Sequence, residues 1–318
     1  MGGNTCRSRA RLVAEHTIPS PTPPAHVNLA VHTDLSGPPH SIRFRVATHP
    51  LQQMENAMAT DAVITPQSTP QPRPRTTTYR PVSRSIERVF FGGMAILLCI
   101  IVYVGFSPTY FGAGMLRAPL PSPILHYHGA AFTLWMALFL IQTAFISAKR
   151  IAWHRTFGTI AFCLPPIMIV LGVIASIDGL RRGVRIGPLD TAVSLAISLV
   201  GIFAFAILIY FAWQTRRRPD AHKRLVLLAT IGLTEAAIGR FPWARMGMSP
   251  AGGGTASLGV LILLLVAYDL FALRRVHRTT MWAGPVAFAG GALSVPIGMT
   301  PAWHAFANFL SRTVAPHL

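Results

Sequence analysis

Long apolar runs, separated by short polar and basic connections, occupy the chain from about residue 89 to residue 297. Seven of these runs approach the roughly 20 residues that a helix needs to cross about 30 Å of hydrocarbon. They are 89–106, 124–147, 157–177, 189–213, 225–238, 257–273 and 281–297. The pattern predicts an all-α fold, a polytopic membrane helix bundle with about seven transmembrane helices.

Three of the predicted spans carry features that weaken a regular helix. Pro165 and Pro166 are expected to kink the third span. The fifth span is short, and the seventh contains three glycines and two prolines. Beyond the last span, residues 301–310 mix aromatic and polar side chains in a pattern typical of a short amphipathic helix at the membrane interface.

Residues 1–88 form a different region, which is rich in Pro, Thr, Ser, Ala and His and has no sustained apolar period. The prolines of residues 65–79 exclude a helix or a core strand there. We therefore expect a disordered cytoplasmic tail at 1–88, followed by a transmembrane domain at 89–318. An alternative is that translation starts at Met54 or Met58, so that the residues before it are an over-extended gene model.

Composition and charge placement make the lipid bilayer the expected partner. Only 12% of the residues are charged, against about 25% in a soluble domain. The net charge of +18 would suit nucleic acid, but the basic residues lie in short clusters between apolar runs, as the loop charges of membrane proteins do. We therefore expect no nucleic-acid partner.

The alternation of basic residues also predicts orientation. From residue 73 onward, sixteen Lys and Arg residues fall on one side of the predicted spans and seven on the other. Because the richer side faces the cytoplasm, the N-terminus is expected inside and the C-terminus outside. The outer connection with Arg181, Arg182 and Arg185 is the exception, and the flanking Asp178 and Asp190 predict either an ion-paired loop or a bound lipid head group.

Ionisable residues inside a bilayer are costly and mark candidate sites. On the predicted outer side these residues are His126, His128, Glu235, Arg240 and His304. His126 and His128 are about 200° apart on a helix, so at most one faces the bundle. The sequence leaves two partners open for Glu235, which are Arg240 and one of these two histidines. This outer group is a candidate haem, metal or proton site.

On the predicted inner side, His154, His222 and Asp269 form a second candidate site. His154 and His222 each precede basic residues at the start of a span, which indicates either a weak repeat of helix pairs or simple markers of the head-group boundary. Haem b with two histidine ligands needs facing imidazoles at one depth. The candidate pairs are His154 with His222, and His304 with His126 or His128.

Five short segments carry a resemblance to a known family. They are 105–110 (GFSPTY), 126–129 (HYHG), 154–158 (HRTFG), 218–225 (RPDAHKRL) and 300–306 (TPAWHAF). In order and spacing the chain resembles a family of uncharacterised bacterial seven-span inner-membrane proteins over about residues 85–312. The resemblance implies a multi-pass fold and a place in the cell inner membrane, and it implies no activity.

No catalytic motif is present, so we expect no catalytic residue and no enzyme activity. Three interpretations remain open. The first is a non-catalytic membrane or assembly factor with structural buried charges. The second is a haem-binding redox or haem-handling protein that uses the histidines. The third is a transporter of a small solute or of protons that uses Glu235 and Arg240.

Overall fold

The computed structural model describes residues 84–314, which form eleven α-helices and contain no strand within that range. The helices are α1 (Arg84–Phe106), α2 (Pro123–Ser147), α3 (Ile151–Ala161), α4 (Leu164–Arg181), α5 (Thr191–Gln214), α6 (Pro219–Leu233), α7 (Glu235–Ile238), α8 (Pro250–Leu273), α9 (Arg278–Ala292), α10 (Ser294–Gly298) and α11 (Pro301–Thr313). A π-helical turn, Ser107–Phe111, extends α1, and single 3-10 turns lie at Met115–Arg117 and Trp243–Met246.

Five helical stretches of residues 84–314 are long and apolar enough to cross a membrane. They are Arg84–Phe111, Pro123–Ser147, Ile151–Arg181, Thr191–Gln214 and Pro250–Leu273. The protein is therefore all-helical in its described part and has the architecture of a multi-pass membrane protein. The last residues of the predicted tail, 84–88, lie in the first turns of α1, whereas residues 1–83, with Met54 and Met58, lie outside the described residues.

Prolines explain where three of the helices end. A proline removes the hydrogen bond to the carbonyl four residues earlier and clashes with it. Accordingly, α3 ends at Ala161, four residues before Pro165. In the same way α7 ends four residues before Pro242, and α9 ends four residues before Pro296. The kink predicted at Pro165 and Pro166 is confirmed as a break between α3 and α4.

The α6–α7 break has no proline at the required distance. Thr234 separates the two helices, and its hydroxyl donates to the Ile231 carbonyl at 2.6 Å. At the α9–α10 break the hydroxyl of Ser294 donates in the same way to the Gly291 carbonyl at 2.6 Å. In each break the hydroxyl thus finds an acceptor in the preceding turn, and the same carbonyl also accepts from a backbone N–H.

Helix α5 lies at the centre of the bundle and packs against α4, α6, α9, α10 and α11. Its residues Phe205 and Leu208 are almost fully buried in a core shared with Trp135 of α2 and Leu228 of α6. The indole of Trp135 also donates to the hydroxyl of Thr230 at 3.3 Å. Burial of large apolar side chains on several helices around α5 explains how the bundle packs.

Helices α1 and α7 cross at very short distance. A Cβ added to Gly105 of α1 would overlap the backbone carbonyl of Ala237 in α7. Only glycine allows this approach. The crossing positions the start of α7, where Glu235 lies, against the rest of the bundle.

The connection after α4 begins with an ion-paired cluster, one of the two arrangements that its charge pattern predicts. Asp178 accepts from Arg181 and from Arg182 at 2.8 Å each, and its side chain is buried. Asp190 does not join this cluster. Its carboxylate instead caps α5 by accepting from the Val193 N–H at 2.9 Å.

Candidate functional site

Glu235 is the first residue of α7, directly after the break at Thr234. Its side chain extends toward two glycines on neighbouring helices. A Cβ on Gly254 of α8 would lie 3.4 Å from the Glu235 Cγ, and a Cβ on Gly291 of α9 would lie 2.7 Å from Oε1. The carboxyl therefore fits between α8 and α9 because these positions have no side chain.

A narrow cavity adjoins the Glu235 carboxyl. It leaves about 10 Å³ for the centre of a water molecule, which is close to the space that one water needs. The other residues that line it are small or apolar: Gly201, Ala204, Phe205, Leu208, Ala229, Gly232, Ala287, Gly290 and Gly291. Glu235 is thus the one ionisable side chain in the lining.

Few polar groups contact the carboxyl of Glu235. Thr255 of α8 donates to Oε1 at 3.5 Å, which is a long hydrogen bond. In the described part of the chain, no Lys, Arg or His forms an ion pair with it. A carboxylate without a cation is unfavourable in an apolar interior, so this position favours a carboxyl that carries a proton.

Arg240 does not neutralise Glu235, and the predicted ion pair between them is wrong. The guanidinium of Arg240 lies over the ring of Phe106 at 4.2 Å from the ring centroid. It also donates to the Ala236 carbonyl in the preceding turn. Because Arg240 follows the end of α7 and Glu235 begins it, the short helix directs the two side chains to different surroundings.

His126 and His128 lie in the first turns of α2 and have different aromatic neighbours. The His128 ring stacks on Phe132 with 4.2 Å between centroids. The His126 ring lies beside Tyr110, at 6.4 Å. The Nδ1 atoms of both rings are buried and have no hydrogen-bond partner among residues 84–314. Neither histidine forms an ion pair with Glu235, so this second predicted partner is also wrong.

His304 lies on α11 and faces the start of α5. Its Nε2 is 3.7 Å from a carboxylate oxygen of Asp190, and both side chains are partly exposed. The neighbouring Trp303 indole donates to the Ala192 carbonyl at 2.8 Å. These contacts attach α11 to α5 and give His304 an acidic neighbour in place of a second imidazole.

Asp269 on α8 forms a fully buried ion pair with Arg224 of α6. Oδ1 accepts from Nε at 3.0 Å and from Nη2 at 2.5 Å, and the two side chains are 0% and 1% exposed. The other oxygen, Oδ2, accepts from the Thr280 hydroxyl at 2.6 Å and from the His277 N–H at 3.1 Å. Both oxygens of Asp269 are therefore satisfied by α6 and by the start of α9.

His277 completes this cluster at the N-terminus of α9. Its Nδ1 accepts from the Thr279 N–H at 3.1 Å, so the ring caps the helix. Partial burial, and then the nearby Arg224 charge, lower the pKa of the imidazole. An uncharged ring is the form that can accept this hydrogen bond.

Lys223 extends the cluster to α1. Its ammonium group lies 2.9 Å from Glu87 and 2.8 Å from Asp220. The Tyr268 ring of α8 stacks on Phe90 of α1, with 4.2 Å between centroids. Side chains of four helices, α1, α6, α8 and α9, thus meet in one network in which the charged groups are paired. Such a network is typical of a structural role.

His222 and His154 each have a partner of their own. The Nδ1 of His222 lies 2.9 Å from the Ala212 carbonyl. With its amide nitrogen toward the imidazole, Gln142 donates to the Nδ1 of His154 at 2.7 Å. No hydrogen bond in the described range joins His154 to His222, and neither contacts Asp269. His154, His222 and Asp269 of the predicted inner site therefore each have their own hydrogen-bond partners.

Arg224 is the partner of Asp269, and the sequence analysis does not predict this pair. A carboxylate inside a span needs a cation, and the basic run 222–224 lies at the same predicted side as Asp269. That signal was available from the sequence. The choice among neighbouring basic residues depends on helix rotation, because each residue turns the side chain by about 100°.

Metal binding finds no support in the grouping of side chains. Within residues 84–314, no group of three or more His, Cys, Asp or Glu side chains could hold a metal ion.

Comparison with protein-family models, curated proteins and solved structures finds no match. The described residues thus define a class, a multi-pass helical bundle in which Glu235 is a buried carboxyl without an ion-pair partner among residues 84–314.

Proposed function

We propose that the chain is a seven-span protein of the cell inner membrane, with its N-terminus inside and its C-terminus outside. The five long apolar stretches supply five spans. Helices α6 and α7 together cover 219–238, and α9 and α10 cover 278–298. Each pair has about the 20 residues that a crossing needs. The resemblance to seven-span inner-membrane proteins agrees with this arrangement.

We infer that this protein is a proton transporter in which Glu235 takes up and releases a proton. The observation that carries the proposal is the Glu235 carboxyl itself, which adjoins a water-sized cavity and has no cation partner in the described residues. Ionisable groups inside membrane bundles commonly mark proton relays and ion pathways. A proton neutralises this carboxyl, and its release requires water or another acceptor to reach the site.

The surroundings of Glu235 suit such a change in access. Broken helices α6–α7 and α9–α10 meet at the carboxyl, and discontinuous helices frame the sites of many transporters. The glycines of α8 and α9 at this point leave the backbone close to the carboxyl. A small displacement of α7 would therefore change the contacts of Glu235 without moving a large side chain.

The narrowness of the same cavity favours a second candidate, a non-catalytic membrane or assembly factor. Space for about one water holds no solute, and the Arg224–Asp269 network is fully satisfied. In this case Glu235 is a structural carboxyl. The haem-handling interpretation stays a prediction, and the partners of His154, His222 and His304 give it no added support.

Proton flux into vesicles separates the two candidates. The full chain would be reconstituted in vesicles that contain a pH-sensitive dye, and a membrane potential would be imposed. We expect flux above that of empty vesicles for the unaltered protein, background flux for Glu235→Gln, and retained flux for Glu87→Gln. Glu87 is a suitable control because it is the other glutamate in residues 84–314 and lies outside the cavity.

Equal flux in the unaltered protein and in Glu235→Gln would overturn the proposal, as would absence of flux in the unaltered protein. If Glu235→Gln instead only lowers the melting temperature of a protein that conducts no protons, the structural candidate is supported. Retained flux in Glu235→Asp would show that the carboxyl group matters more than its reach.

A further inference from the structure

An apolar groove of about 540 Å³ runs between the first turns of α1 and the last turns of α8. Its lining is Ser85, Ile86, Val89, Phe90, Ala267, Tyr268 and Phe271. The stacked rings of Phe90 and Tyr268 form the floor. Val89 and Phe271 are 75% and 66% exposed, so the groove opens outward from the bundle.

Three arginines lie next in sequence to the helix ends that line this groove. Arg84 is the first residue of α1, and Arg274 and Arg275 directly follow α8. All three are exposed, and none forms an ion pair with another described residue. Arg274 has a left-handed backbone, with φ of 58°, which ends α8 sharply at this point.

The nearby acidic groups do not cancel this charge. Glu87 and Asp220 both pair with Lys223 on the side of α6. Asp269 is committed to Arg224. The end of the groove therefore combines an apolar channel with a positive rim, and this combination matches the two parts of an anionic phospholipid.

We propose that the groove binds an acyl chain of an anionic phospholipid whose phosphate is held by Arg84, Arg274 and Arg275. Guanidinium groups bind phosphate oxygens through paired hydrogen bonds. Anionic lipids are also enriched at the cytoplasmic surface, which attracts basic residues next to membrane helices. The groove shares no lining residue with the Glu235 cavity, and the proposal is independent of proton transport.

Native mass spectrometry of the purified full chain tests the affinity. Phosphatidylglycerol is the probe and phosphatidylethanolamine the zwitterionic comparison. We expect the triple variant Arg84→Gln, Arg274→Gln, Arg275→Gln to lose affinity for phosphatidylglycerol by about tenfold or more. The triple variant Arg216→Gln, Arg217→Gln, Arg218→Gln removes the same charge from a different connection and should change binding by less than about twofold.

A second variant tests the apolar half of the site without altering charge. Ala267→Phe places a ring in the groove, where Ala267 is exposed. It should weaken phosphatidylglycerol binding while the melting temperature stays near that of the unaltered protein. Phosphatidylglycerol with a photoreactive acyl chain should crosslink to peptides that contain Val89 or Phe271.

Several outcomes overturn the proposal. An equal loss in the two arginine variants would mean general attraction to basic surface. Competition by inorganic phosphate at the same concentration would assign the rim to free phosphate. Absence of phosphatidylglycerol binding would remove the proposal. Crosslinks confined to other helices would place the lipid elsewhere. Crosslinks confined to residues 1–83 would mean that the N-terminal residues occupy the groove.

Discussion

Two acidic side chains of the bundle, Asp269 and Glu235, have opposite surroundings. Asp269 receives hydrogen bonds from Arg224, Thr280 and His277 and is completely buried. Glu235 receives one long hydrogen bond from Thr255. Removal of a partner should therefore have a large cost at Asp269, where it leaves a buried charge unpaired.

Asp269→Asn should lower the free energy of unfolding by about 3 kcal/mol or more, because Arg224 would then be buried without a counter-charge. Thermal unfolding in mild detergent measures the change. Lys223→Gln serves as the control. Its ion pairs are partly exposed, so it should cost no more than about 1 kcal/mol. Similar stability of Asp269→Asn and Lys223→Gln would contradict this assignment.

The sequence predicts which ionisable residues are unusual, but it does not predict their partners. Asp269 and Glu235 stand out because each lies in an apolar run. Arg240 is the basic residue nearest to Glu235 along the sequence, yet it stacks on Phe106 of α1. The contact depends on the α1–α7 crossing, and a local sequence pattern does not contain the relative position of two distant helices.

At the scale of whole helices, breaks divide three of the predicted spans. The α3–α4 and α9–α10 breaks were signalled by Pro165 and Pro296, since proline has a local and regular effect on a helix. The α6–α7 break at Thr234 had no comparable signal. Its hydroxyl bond to Ile231 becomes visible only in the folded chain.

The α1–α7 crossing gives a prediction for the helix pair. Gly105→Ala should lower the free energy of unfolding by about 1–3 kcal/mol, because the added Cβ overlaps the Ala237 carbonyl and forces the helices apart. Gly93→Ala is a matched control in the same helix. It has nothing within 4 Å of the added Cβ and should change stability by no more than about 1 kcal/mol.

Melting temperatures of the two alanine variants, measured in one detergent, provide the comparison. A Gly105→Ala protein as stable as Gly93→Ala would show that α1 and α7 do not cross at this distance. If Gly105→Ala also reduces proton flux, the position of α7 affects the Glu235 site.

At the scale of the whole molecule, the number of membrane crossings depends on the two broken pairs, α6–α7 and α9–α10. A seven-span protein has the connections 215–218 and 274–277 inside and the connection 239–249 outside. If α6–α7 did not cross, 239–249 would lie on the same side as 215–218. The connection 239–249 is therefore the decisive position.

Reporter fusions at these three connections test the topology. Alkaline phosphatase, which is active outside the cytoplasm, should be active only after residue 245. Green fluorescent protein should fluoresce after residues 217 and 276. Each reporter would also be placed at the other positions as a control. Phosphatase activity at 276 and none at 245 would show that α6–α7 does not span the membrane.

The breaks in α6–α7 and α9–α10 also have a consequence for biogenesis. Neither pair belongs to the stretches that are long and apolar enough to cross a membrane by themselves, and insertion of a helix from the translocon depends on its own hydrophobicity. Both pairs pack on α5, or on helices that contact it. We expect α5 to enter the bilayer before α6–α7 and α9–α10 and to pack first with α6–α7 and later with α9–α10. The order of assembly of this membrane protein therefore follows from the positions at which its helices are interrupted.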